Sequence, residues 1–164
     1  QWEFVRELLK ACREAGLHTA LDTTGYCAWE NMRQVLLHTD LLLFDVKHTD
    51  SGRHREKTGV SNDQILRNLE RAASMTKVWL RVPVVPGFND SEPNMRSTAE
   101  LAVRVGAEKV SLLPCHDWAR EKYRRLGRRY ESDAEMGRAE PNDQTVSRWK
   151  ELLGSHGLAV GVGN

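Results

Sequence analysis

The sequence predicts an α/β fold built on a mostly parallel sheet, and three observations carry that reading. Short apolar runs alternate with helical stretches along the chain, the pattern of strands joined by helical crossovers. One run, Leu41-Leu42-Leu43-Phe44-Asp45-Val46-Lys47, is continuously apolar until its end, as in a strand buried on both faces. Polar groups also gather at the C-terminal ends of the runs. Those ends open onto the active-site face in parallel α/β folds and barrels.

The elements follow in order. Trp2, Val5, Leu8, Leu9 and Cys12 form one stripe of an opening helix, stopped by Gly16. A strand over residues 18–21 ends in Asp22-Thr23-Thr24-Gly25, an acid followed by small turn residues. A helix over 29–38 turns Trp29, Met32, Val35 and Leu36 inward, and the strand at 41–47 follows. A short helix is predicted at 54–58. Ser61 or Asn62 caps the next one, whose core face is Ile65, Leu66, Leu69, Ala72 and Ala73. The strand over 78–85 contains Arg81, and Pro83 argues that its end leaves regular pairing. Asn89-Asp90-Ser91 caps a helix holding Met95, Ala99, Ala102 and Val103. A strand at 109–113 ends in Pro114-Cys115-His116, and residues 117–140 read as a long charged loop with some helix. A last helix over 142–153 and a strand over 158–162 close the chain. Trp29, Trp79 and Trp149 are read as core residues.

Length and composition suit one domain, residues 1–164, with a real core: 164 residues, 40% of them apolar. A formal net charge of +1 gives no global field for nucleic acid or a membrane surface. No apolar run approaches the ~20 residues of a transmembrane helix, and no secretory leader is evident. Cys12, Cys27 and Cys115 are too widely spaced for a metal knuckle and suit a reducing cytoplasm. No G-x-G-x-x-G follows a strand, and there is no P-loop.

The strand-end residues are the candidate site. Asp45 and Lys47 lie two apart and leave the same side of their strand. With Asp22, Thr23, Arg81 and His116 they converge on one rim, as in a barrel active site rather than a flat doubly wound sheet. A structural reading stands beside this one. Arg81 is equally able to bridge Asp45 or Asp22, His116 to be a hydrogen-bonded structural histidine, and the run Arg120, Lys122, Arg124, Arg125, Arg128 and Arg129 to be a solvated face.

Four motifs resemble those of the glycyl radical enzyme activating enzymes, the pyruvate formate-lyase activating type within the radical S-adenosylmethionine (SAM) superfamily. They are His18-Thr19-Ala20-Leu21-Asp22-Thr23-Thr24-Gly25-Tyr26, Asp45-Val46-Lys47-His48, Arg81-Val82-Pro83-Val84-Val85-Pro86-Gly87-Phe88-Asn89-Asp90, and Leu112-Leu113-Pro114-Cys115-His116 with Lys122-Tyr123 and Leu126-Gly127 beyond. The resemblance implies a partial TIM-type (β/α)6 radical SAM barrel. Here that is an incomplete barrel of about four parallel strands with flanking helices, plus a C-terminal helix and strand. It further implies an activase that reduces SAM on a 4Fe–4S cluster to a 5′-deoxyadenosyl radical and takes a hydrogen atom from a glycine of a partner enzyme, such as pyruvate formate-lyase or a relative. A flavodoxin or ferredoxin type protein would be the reductant. By resemblance, Asp45, Val46, Lys47, His116 and Arg81 line the SAM site. Asp22, Thr23, Asp45 and the Leu43 carbonyl would form a monovalent-cation site.

The family's C-x3-C-x2-C cluster motif and its Gly-Gly-Glu-Pro motif are absent from the 164 residues. The chain is therefore expected to be the C-terminal part of such an enzyme, inactive alone, with the residue 19–21 strand as an open edge through which it oligomerises. Two other classes stay open: a barrel enzyme acting on a sugar or phosphosugar, and a non-catalytic module that binds SAM or a partner.

Overall fold

A computed structural model describes residues 1–114, 124–127 and 143–163. Its core is one parallel sheet of β1 (Ala20–Thr23), β2 (Leu41–Asp45), β3 (Lys77–Val84), β4 (Lys109–Pro114) and β5 (Val160–Val162), hydrogen-bonded in chain order. Between and around the strands run α1 (Trp2–Glu14), α2 (Trp29–Leu36), α3 (Ser51–Thr58), α4 (Asp63–Ala72), α5 (Glu92–Arg104) and α6 (Asp143–Ser155). Sequential parallel neighbours joined by helices are the right-handed βαβ arrangement that the alternation predicts, and no described connection skips a strand.

Period-two alternation divides the sheet into two faces. Leu42 and Phe44 of β2, Val78, Leu80, Val82 and Val84 of β3, and Val110 and Leu112 of β4 are fully buried beneath the helices, against Leu69, Met95, Ala99, Ala102, Trp149 and Leu153. The opposite face carries Leu41, Leu43 and Asp45, then Trp79, Arg81 and Pro83, and these are only half-buried. So the expectation that the residue 41–46 run is buried on both faces does not hold. Its even residues meet helices, and no described helix covers its odd ones.

Trp149 is core, at 2% exposure, and Trp29 packs partly buried against the core. Trp79, expected in the core, instead sits half-buried on the open face, with the Lys109 ammonium 4.6 Å above its ring. The odd register of β3 decides this. Helix α1 is amphipathic as predicted, yet none of its residues is buried. The short third helix begins earlier than its sequence suggests because Asp50 caps it, accepting from the Arg53 N–H at 2.7 Å.

Pro83 lies inside β3, in register with Leu113 of β4. The Val46 N–H donates to the Arg81 carbonyl at 2.8 Å, so the odd residues of β3 address β2. The last β2 pair is Asp45 with Arg81, and Pro83 falls beyond it. Its missing N–H therefore removes no ladder bond. The strands part at this point.

Candidate functional site

The open face at the C-terminal ends of β1–β3 carries a row of charges. Parallel register aligns Asp45 with Arg81 and Ser111, and Asp22 with Leu43 one step below. Arg81 Nη1 donates to Asp22 Oδ2, and Arg81 Nε stands 4.0 Å from Asp45 Oδ1. Lys47 Nζ donates to Asp45 Oδ2 at 3.2 Å. Two carboxylates and two cations from three strands thus share one patch. The Arg81 side chain is 19% exposed and that of Asp22 is 57% exposed, so the patch is anchored at the sheet and open above. Asp45 Oδ1 is buried and has no hydrogen-bond partner among the described residues. A buried carboxylate oxygen left in that state is costly unless a ligand or ion completes it.

Both readings of Arg81 are visible: it bridges Asp22 and approaches Asp45 on the rim proposed as the site. Val46 directs its side chain into the core, at 2% exposure, leaving only its backbone toward this region. Thr23 belongs to the helix-facing register, and its Oγ1 accepts from the Gly25 N–H at 3.1 Å. His116 lies outside the described residues, as does the basic run apart from Arg124 and Arg125, which are exposed.

The loops behind the charges are held by buried amides. Asn89 was expected in a helix cap; the cap is Ser91, and Asn89 is fully buried between β2 and β3. Its Nδ2 donates to the Lys47 carbonyl at 2.8 Å and to the Pro83 carbonyl, and its Oδ1 accepts from the Val85 N–H at 2.8 Å. Asn94 Oδ1 accepts from the Thr49 N–H and hydroxyl, and Asn62 Nδ2 donates to the carbonyls of His48 and Thr49. Asn68 holds the loop after β1 by donating to the Gly25 and Cys27 carbonyls. His48 is buried and accepts the Asp50 N–H on Nδ1, and burial pushes its pKa below the ordinary imidazole value. The signal for these roles in the sequence is weak: asparagines beside turn residues read as caps.

A groove of about 350 Å³ lies beside the charges, lined by His48, Arg53, Phe88, Asp90 and Asn94 among others. None of Asp22, Asp45, Lys47 or Arg81 lines it. The charge row, with a buried carboxylate oxygen that lacks a hydrogen bond among the described residues, is the better candidate site; it occupies an open face rather than a cavity.

A parallel α/β sheet with charged groups from successive strands gathered at its C-terminal rim has the architecture of a partial barrel of the TIM type. No protein-family model matches the chain. The pyruvate formate-lyase-activating enzyme of Clostridium pasteurianum is 38% identical over 158 residues, 93% of this chain and 65% of that protein. The 4-hydroxyphenylacetate decarboxylase activating enzyme of Clostridioides difficile is 32% identical over 168 aligned positions, covering all of this chain and 52% of that protein. The crystal structure of a domain of pyruvate-formate lyase-activating enzyme from Bacteroides vulgatus superposes with a TM-score of 0.81 at 29% identity, over 99% of this chain and 91% of that one. By these matches the chain is similar to the glycyl radical enzyme activating enzymes of the radical SAM superfamily. It spans about half the length of most of the curated relatives it matches. These matches do not favour a sugar or phosphosugar enzyme.

Proposed function

We propose that this chain supplies the SAM-binding rim of an activase that installs a glycyl radical on a partner enzyme. One observation carries the reading: Asp45, Lys47, Arg81 and Asp22 converge on the open face, and Asp45 Oδ1, 4.0 Å from Arg81 Nε, has no hydrogen-bond partner among the described residues. The methionine end of SAM carries a carboxylate and an ammonium, and its ribose carries hydroxyls. Lys47 and Arg81 fit the carboxylate, and Asp45 fits the ammonium or a hydroxyl. Val46 would contribute backbone only, and His116 would join from beyond β4. SAM, with a reduced 4Fe–4S cluster, would supply the radical that takes hydrogen from glycine.

The residues present do not fit the cluster itself. Cys12 in α1 and Cys27 in the loop after β1 are half-buried free thiols, and no group of three or more His, Cys, Asp or Glu among the described residues is placed to hold a metal. Those ligands would come from a segment outside these 164 residues. The partner would be a glycyl radical enzyme, and the reductant a flavodoxin or ferredoxin. A monovalent cation would take the Asp22 and Asp45 carboxylates with the Leu43 and Thr23 backbone carbonyls as its oxygen donors, since the Thr23 hydroxyl lies in the helix-facing register, and Asp22 would exchange Arg81 for the ion. No helix among the described residues is long and apolar enough to cross a membrane.

The test is calorimetric SAM binding in a full-length activase carrying this chain with its cluster reconstituted. Lys47→Ala and Asp45→Asn should each weaken binding by about 1–3 kcal/mol, the loss of a desolvated polar partner. Asp45→Asn should also blunt any potassium dependence. Affinities equal to the parent in both variants would refute the assignment.

A further inference from the structure

We infer that Asn89 is a positioning residue for the SAM rim: it fixes where Lys47 leaves the sheet. The inference rests on the site reading above. β2 and β3 stop pairing after Asp45 and Arg81, and Pro83 has no N–H to continue the ladder. Carbonyls on both sides of the gap would then face each other without donors. Asn89 places its carboxamide there. Its two N–H groups serve the Lys47 and Pro83 carbonyls, and its oxygen takes the Val85 N–H. The side chain acts as a rung between strands that no longer pair directly.

The consequence concerns Lys47. Its side chain is 35% exposed and hangs on a flexible four-carbon stem, so its reach to Asp45 depends on where the backbone is pinned. The Asn89 bond to its carbonyl is that pin. A second layer holds the pin in place. Asn94 Nδ2 donates to the Asn89 carbonyl at 2.8 Å while its Oδ1 takes Thr49, and Asn62 takes His48 and Thr49. Residues 47 and 49 are thus tied by buried amides to the chain that follows β3, and residues 48 and 49 to Asn62 at the start of α4. Full burial makes the arrangement stringent, since a mismatched polar group there finds no water.

Asn89→Asp is nearly isosteric. It keeps the acceptor for Val85 and removes the donors to Lys47 and Pro83. In the reconstituted full-length protein it should weaken SAM binding at least tenfold. In this chain, the Val46 amide, which bonds to Arg81 across the last β2–β3 pair, should exchange with solvent at least tenfold faster, while the Val85 amide stays protected. The control is Thr19→Val at the opposite end of the sheet, where the Thr19 hydroxyl serves the His38 carbonyl and Asp40. It should lower thermal stability without moving SAM affinity or Val46 exchange. If Asn89→Asp does not fold, Asn94→Asp, which removes the donor to the Asn89 carbonyl, should give a smaller shift in the same two readouts. The inference is overturned if the folded Asn89 or Asn94 variant matches the parent in both, or if Thr19→Val weakens SAM binding equally at the same loss of melting temperature. If the parent binds no SAM, the site reading fails, and Val46 exchange still decides whether Asn89 pins the strand end.

Discussion

At the scale of single residues, two positions show how closely the rim depends on its backing. Gly25 follows the β1 acid and adopts φ +70°; an added Cβ there would lie 2.3 Å from Cζ of the fully buried Phe44 ring. Both the left-handed backbone and the contact exclude a side chain. Gly25→Ala should destabilise the fold by about 2–4 kcal/mol, combining backbone strain with core overpacking. Chemical denaturation measures this, and a loss below about 0.5 kcal/mol would contradict the packing described, since that is the ordinary range of surface changes. His48 is the second. Burial favours its neutral form, in which Nδ1 accepts the Asp50 N–H. Its folded pKa lies below the ordinary value of 6.5, so its contribution to stability is complete above that value and is lost as pH falls through the folded pKa. His48→Gln should flatten the acid side of a melting-temperature profile below pH 6.5. An unchanged profile would show that His48 does not set it.

At the scale of elements, the apolar periodicity of each segment is a local property, and the helices and strands lie within a few residues of where that periodicity puts them. The exceptions have local causes: the Asp50 cap lengthens α3 toward its N-terminus, and β3 carries Pro83 because β2 has already turned away. β1 is the element with an outcome still to measure. It is four residues long and pairs with β2 alone, so its other edge is open among the described residues. Phe4, Leu8 and Leu17 nearby are about half or more exposed. Open edges and apolar surface recruit other chains. This chain by itself should therefore self-associate in sedimentation velocity, with a weight-average mass that rises with concentration. A Lys substituted for Ala20, on the exposed side of β1, should reduce that rise; a monomer unaffected by dilution would count against the edge.

At the scale of the whole molecule, the sequence by itself determined the α/β alternation, the order of helices and strands along the chain and the charged residues at the strand ends. Those follow from side-chain periodicity and from where polar residues interrupt apolar runs, both readable within a dozen residues. It also held the motifs through which the chain resembles its family. Tertiary structure decided which of those charges meet. Arg81 and Asp22 are 59 residues apart in the chain, and parallel register with β2 between them sets them on one face. It decided that Trp79 lines the open face while Leu80 enters the core, because one residue of register exchanges the two. It decided, too, that Asn68 and Asn94 are staples, and Asn89 a staple rather than a cap, through partners 43, 45 and 42 residues away. A buried amide has value only through the groups that face it, and the fold alone brings those groups together.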